Sequence, residues 1–81
     1  MTPDQARGIV SDALHQVAPD IDLDKLEVDA DFRDSVQLDS IDFLNFVEIL
    51  SDRSGLRIDE DDYPKLATFD GCVEFLSHPK V

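Results

Sequence analysis

Ser40 stands between two carboxylates in the run Leu38-Asp39-Ser40-Ile41-Asp42. A serine so placed has two chemistries open to it: attack on a substrate, or acceptance of a group transferred by another protein. Attack needs a base in reach, yet His15 and His78 lie far from Ser40 in sequence and far from each other. Asp39 and Asp42 disfavour an alkoxide, and the glycines of a nucleophile elbow are missing. Acceptance needs only an exposed hydroxyl. A phosphate attached at Ser40 would lie near the positive end of the helix that begins there. Ser11, Ser35, Ser51, Ser54 and Ser77 lack that setting.

Two other groups of residues invite chemistry. Asp20, Asp22 and Asp24, with Asp31 in the twelfth position, mimic part of a calcium-binding loop. The sixth position of such a loop takes glycine for its sharp turn and the twelfth a bidentate Glu; here they are Lys25 and Asp31. This stretch reads as a solvated acidic loop, and no metal site is expected. Cys72 shares a helical stripe with Phe69, Val73 and Leu76, so it is expected to be a small core hydrophobe. Both histidines are expected at the surface.

Four helices must position these residues. Thr2-Pro3-Asp4-Gln5 opens the first: Thr2 caps, Pro3 takes the first helical position and Gln5 completes a capping box. Ile9, Val10, Ala13, Leu14 and Val17 form its apolar stripe, and Pro19 stops it. Residues 20–39 read as a long ordered loop, pinned to the core by Leu23, Leu26, Phe32 and Val36. Loops of that length are usually functional. Asp39 is the expected N-cap of a second helix over 40–54, with Asp42 making an acidic capping box and Gly55 ending the helix. A third helix begins at the acids 59–62, and Pro64 limits it to a turn or two. The fourth runs over 69–77 and is closed by Pro79. The fold class is therefore all-α: a four-helix bundle, one domain over residues 1–81, with a long loop between the first two helices.

Placing the second helix at 100° per residue gathers Phe43, Phe46, Val47 and Leu50 on the buried side. Ile41, Asn45, Glu48 and Asp52 fall opposite, and Ser40 lies between the two faces. Ile41 is then an apolar residue on an acidic surface. Nineteen acids against seven bases among 81 residues give a net charge of −12, which repels nucleic acid and anionic membranes and attracts basic protein surfaces. One cysteine makes no internal disulfide, and no apolar run approaches the roughly 20 residues of a membrane span. No signal peptide is expected at the start of the chain, and the expected location is the cytoplasm.

The Leu38–Asp42 run, at the head of an amphipathic helix behind an acidic loop, resembles the phosphopantetheine attachment motif of acyl carrier proteins. Phe32, eight residues before Ser40, is similar to the family's loop-anchoring Phe. Ile58 before an acidic short helix, Thr68-Phe69, and the stripe from Cys72 to Leu76 extend the likeness, with no gap from Phe32 to Leu76. The resemblance implies an acyl-carrier-like bundle with 4′-phosphopantetheine esterified to Ser40, loaded by a phosphopantetheinyl transferase that brings its own base and Mg²⁺ and is recruited by Asp42. It implies a noncatalytic, monomeric carrier of thioester-bound acyl groups, with acyl-activating, acyl-transferring or condensing enzymes as partners. The expected docking surface follows from geometry instead: the face of Ile41, Asn45, Glu48 and Asp52 lies opposite the buried stripe, adjoins Ser40 and offers one apolar anchor in an acidic surround.

Three positions depart from the family pattern. Gln37-Leu38 replaces a common Gly-Ala, Asn45 stands where an acid is usual, and Glu48 where an apolar residue is common. The run Asp39–Phe46 looks more like freestanding carriers of specialised pathways than the housekeeping carrier of fatty-acid biosynthesis. The alternative from the residues alone is an acidic helical interaction or calcium-sensing module whose serine stays unmodified.

Overall fold

The first helix starts where its capping chemistry places it. The Thr2 hydroxyl accepts the Gln5 N–H at 3.2 Å, the Gln5 side-chain oxygen accepts the Thr2 N–H at 3.1 Å, and Pro3 opens the helix. In this computed structural model, residues 1–35 and 37–78 are described, with backbone alone for Leu23, Arg33 and Ser35. The expected pinning roles of Val36 and the Leu23 side chain, and the stop at Pro79, lie outside the described residues.

Helix α1 spans Pro3–Val17 and ends with the Ala18 N–H bonded to Leu14 O at 2.7 Å, just before Pro19. Its fully buried residues are Ala6, Val10, Ala13 and Leu14. Ile9 and Val17, expected in the stripe, are half-buried, and Ala6, not expected there, is fully buried. α1 packs against both long helices that follow.

The loop after α1 holds a 3-10 turn, Leu23–Lys25, and a one-turn helix α2, Phe32–Ser35. Two main-chain bonds tie it to the far end of the fold: Phe32 N–H to Ala67 O at 2.8 Å and Asp70 N–H to Val28 O at 2.9 Å. Of the expected pins, Phe32 is buried and Leu26 half-buried; Leu38, buried as well, is a further anchor. Main-chain pairing therefore holds this loop as much as apolar side chains do.

Helix α3 spans Ser40–Ser54. Gly55 follows at φ +71°, the left-handed conformation that glycine adopts at least cost, and its N–H bonds Ser51 O at 2.9 Å. The expected third helix is a 3-10 segment, Glu60–Leu66, rather than an α-helix. Pro64 has no N–H to donate and its ring crowds the preceding turn, so the segment keeps the tighter, short-range pattern. Asp62 is almost fully buried in it: one carboxylate oxygen accepts the Asp59 N–H at 3.1 Å and the other lies 3.9 Å from Lys65 Nζ.

Helix α4, Phe69–Ser77, has the bounds that the sequence pattern predicts, with Thr68 Oγ1 accepting the Gly71 N–H at 3.0 Å. A Cβ at Gly71 would overlap the Lys65 carbonyl, so only glycine lets α4 seat against the 3-10 segment. Cys72 is fully enclosed in the core; its thiol donates to Leu66 O at 3.3 Å, and burial pushes its pKa well up, away from thiolate chemistry. The core joins Val10 and Leu14 of α1, Phe46, Val47 and Leu50 of α3, Leu66, and Phe75 and Leu76 of α4.

Candidate functional site

Ser40 is delivered to the surface by the three residues before it. Gln37 holds φ +58°, Leu38 buries its side chain with its N–H 3.4 Å from Phe32 O, and Asp39 turns extended to cap α3. The Asp39 carboxylate accepts the Asp42 N–H at 2.8 Å. Leu38 inward and Asp39 on the helix end leave Ser40, the first helical residue, exposed. Its position is set by a cap and a core anchor, and among the described residues its hydroxyl has no hydrogen-bond partner.

The left-handed backbone at Gln37 gives the departure from the family's glycine a physical meaning. An L-residue there costs about 1–2 kcal/mol against the right-handed regions, and glycine escapes that cost at the expense of some chain entropy. Gln37→Gly is expected to stabilise the fold by about 0.5–1 kcal/mol. In thermal melts this is a rise of a few degrees, whereas Gln37→Val should lower the midpoint.

Beside Ser40 runs a groove of about 440 Å³ between the start of α3 and the 3-10 segment. Phe43 and Leu44 line it from α3, Tyr63 and Pro64 from the opposite side, and Phe32 from below, while Asp31, Asp39 and Ser40 edge it. Polar groups at the rim and apolar walls within suit the end of a flexible, partly apolar arm. A larger recess of about 720 Å³ lies between the end of α1 and the acidic loop. Val17, Ile21 and Leu26 line it with Asp20, Asp22 and Lys25, and among the described lining residues there is no hydroxyl, thiol or imidazole.

The other site residues read from the sequence fall into two sets. Ile41, Asn45, Glu48 and Asp52 are all exposed, Ile41 at 70%, and form one acidic face with Asp42 half-buried at its edge. Leu44 is 46% exposed and was not among them. It stands one turn above Ser40 on the same side, so the helical spacing alone could have found it. Phe43, expected in the buried stripe, is half-buried and packs toward the groove. His15 and His78 are exposed and neither lines the groove. Asp22, the residue before the 3-10 turn, accepts the Asp24 N–H at 3.1 Å. Among the described residues no three acidic, His or Cys side chains gather as a metal site.

The electrostatics at Ser40 are mixed. A helix N-terminus favours a phosphate by about 0.3–1 kcal/mol, and each nearby carboxylate opposes it by a comparable amount in water. The field therefore does not retain a phosphorylated group. A covalent bond to Oγ does not need it to, and this arrangement fits an attached group better than a bound one.

A family model described as the phosphopantetheine attachment site matches residues 4–76. The chain belongs to the acyl carrier protein family. An acyl carrier protein of Lactobacillus johnsonii is 41% identical over 56 residues, which are 69% of this chain and 70% of that one. The solved structure of acyl carrier protein from Enterococcus faecalis has the same fold, with a TM-score of 0.76 over 99% of this chain and 100% of the other at 23% identity. The group that this family attaches is phosphopantetheine, and the exposed hydroxyl beside an apolar groove suits it. Among its described residues the bundle contains no helix that is long and apolar enough to cross a membrane.

Proposed function

We propose that this carrier holds acyl groups on 4′-phosphopantetheine attached to Ser40 and delivers them, without catalysis of its own, to cytoplasmic biosynthetic enzymes. The group supplies a terminal thiol that carries acyl chains as thioesters. Ser40 supplies the hydroxyl that anchors it, Asp39 fixes that hydroxyl at the helix start, and Phe32, Phe43 and Tyr63 offer apolar surface beside it. The supporting observation is Ser40 itself, exposed at the first residue of α3 on the rim of that groove. Coexpression with a broad-specificity phosphopantetheinyl transferase should raise the intact mass by one phosphopantetheine. A chain that stays at its unmodified mass under those conditions contradicts the reading.

The docking surface for the transferase and for acyl-handling enzymes is the face of Ile41, Asn45, Glu48 and Asp52, widened by Leu44 and edged by Asp42. Two exposed apolar side chains within an acidic surround suit a basic partner patch with an apolar hollow. Asn45 and Glu48, where the family more often has an acid and an apolar residue, favour partners of a specialised pathway over those of fatty-acid biosynthesis. Asp42→Lys is expected to slow loading most at low salt and to converge on the parent at high salt, because exposed charges act mainly on encounter. Ile41→Ala should lower kcat/KM for loading by roughly 5- to 30-fold, the equivalent of about 1–2 kcal/mol, with little salt dependence. Equal loading rates for both variants and the parent across the salt series would place the docking surface elsewhere.

A further inference from the structure

We propose that the recess between the end of α1 and the acidic loop is a second protein-docking surface, which seats a cationic segment of a partner enzyme by one apolar side chain and reads its main chain through Gln37. The recess holds about 720 Å³, room for an apolar side chain and the chain that carries it. Val17, Ala18, Ile21 and Leu26, all half-buried, give it an apolar lining. Asp20, Asp22 and Glu27 line it too, with Lys25 alone of the opposite sign, and none of these four is in an ion pair among the described residues. Within a chain of net charge −12, such an acidic rim around an apolar hollow complements lysine or arginine on either side of an apolar residue.

Gln37 adds recognition to charge. It lines the recess at φ +58°, a conformation that glycine holds at less cost, and it stands where the family commonly has glycine. Its side chain is exposed and makes no hydrogen bond among the described residues, so nothing in the fold offsets the strained backbone. A strained conformation without a structural return points to function. Among the described lining residues Gln37 is also the one whose side chain both donates and accepts, since the carboxylates only accept and Lys25 only donates. Its amide therefore matches the N–H and C=O of a peptide group. The recess adjoins the attachment point as well: Gln37 precedes Ser40 by three residues, which a chain spans in at most about 11 Å. Between them Leu38 is buried and Asp39 caps α3, so anchored chain joins the edge of the recess to Ser40. What that closeness serves rests on attachment at Ser40, whereas binding in the recess does not.

The test titrates the blocked pentapeptide Lys-Lys-Leu-Lys-Lys into the whole, unmodified chain and follows the amide resonances, with Lys-Lys-Ser-Lys-Lys as the control of equal charge. Shifts should centre on Ala18, Ile21, Leu26 and Gln37, and the leucine peptide should bind roughly 5-fold or more tightly than the serine one, because its apolar side chain leaves water. Gln37→Met keeps the length, the charge and the backbone cost but removes the amide, and Gln37→Gly removes the side chain. Each should weaken the leucine peptide by roughly 5-fold, while Gln37→Gly melts no lower than the parent. Binding lost with stability kept is the behaviour of a recognition residue rather than a structural one. Equal affinity for the two peptides, shifts centred on Ile41, Leu44 and Asn45, or unchanged binding by both Gln37 variants overturns the proposal. So do recess resonances that move on dilution of the chain alone, which would mean that a second copy sits there. A chain that binds the leucine peptide as expected but gains no phosphopantetheine keeps the recess as a docking surface and loses the Ser40 reading.

Discussion

Ser40→Ala is expected to abolish attachment of phosphopantetheine outright while leaving the melting midpoint within about 1 kcal/mol of the parent. The loss is complete because Oγ is the atom that would be esterified, and no neighbouring group can stand in for it. The fold survives because, among the described residues, no hydrogen bond of the Ser40 hydroxyl holds the start of α3. That start is held by the Asp39 carboxylate on the Asp42 N–H and by Leu38 in the core. Alanine is also a good helix former at an exposed position. Other serines are poor substitutes: Ser51 Oγ donates to Leu56 O at 2.7 Å, Ser54 Oγ accepts the Leu56 N–H at 3.2 Å, and Ser77 Oγ donates to Val73 O at 2.7 Å. Ser11 is half-buried on α1. Intact mass after coexpression with the transferase, alongside a circular-dichroism melt, reads both halves of the expectation. An alanine variant that still gained the mass would move the attachment point to another residue.

The parts of this fold that the sequence reveals are those set by chemistry within a few residues. Thr2 with Gln5, Asp39 with Asp42, and Gly55 each mark a helix end, and each makes the local hydrogen bond or adopts the backbone conformation that its residue type favours. Ser40 is legible for the same reason, since its exposure follows from a cap beside it and an apolar face behind it. What the sequence hides depends on distant partners. Nothing near Asp62 in the run of four acids separates it, buried, from Glu60 and Asp61, which are exposed; its burial follows from how the 3-10 segment docks. The bonds from Phe32 to Ala67 and from Asp70 to Val28 join main-chain groups, which carry no side-chain signature. The groove has the same origin: Tyr63 becomes its wall only once the 3-10 segment lies across from Phe43.

Phe32→Ala is expected to cost about 3–5 kcal/mol, a large share of the roughly 5–15 kcal/mol that holds a small domain together. Phe32 is 1% exposed, its ring meets Phe46 edge-on, and its main chain accepts from Leu38 and donates to Ala67. Truncation removes the ring from the centre of that arrangement while the main-chain bonds hold the surroundings too firmly to collapse into the space, so a cavity remains. The midpoint should fall by more than about 12 °C at the usual 4–8 °C per kcal/mol for a domain of this size. Loading should respond differently. The cap on α3 is local to Asp39 and Asp42, so the folded fraction of Phe32→Ala, measured well below its midpoint, should still accept the prosthetic group at a rate within a few-fold of the parent. Stability lost with loading retained places Phe32 in the support of the loop rather than in recognition by the transferase. A variant whose stability stays within about 1 kcal/mol of the parent would mean that the main-chain bonds hold the loop without the ring, and that the edge-on contact of Phe32 with Phe46 is not what anchors it.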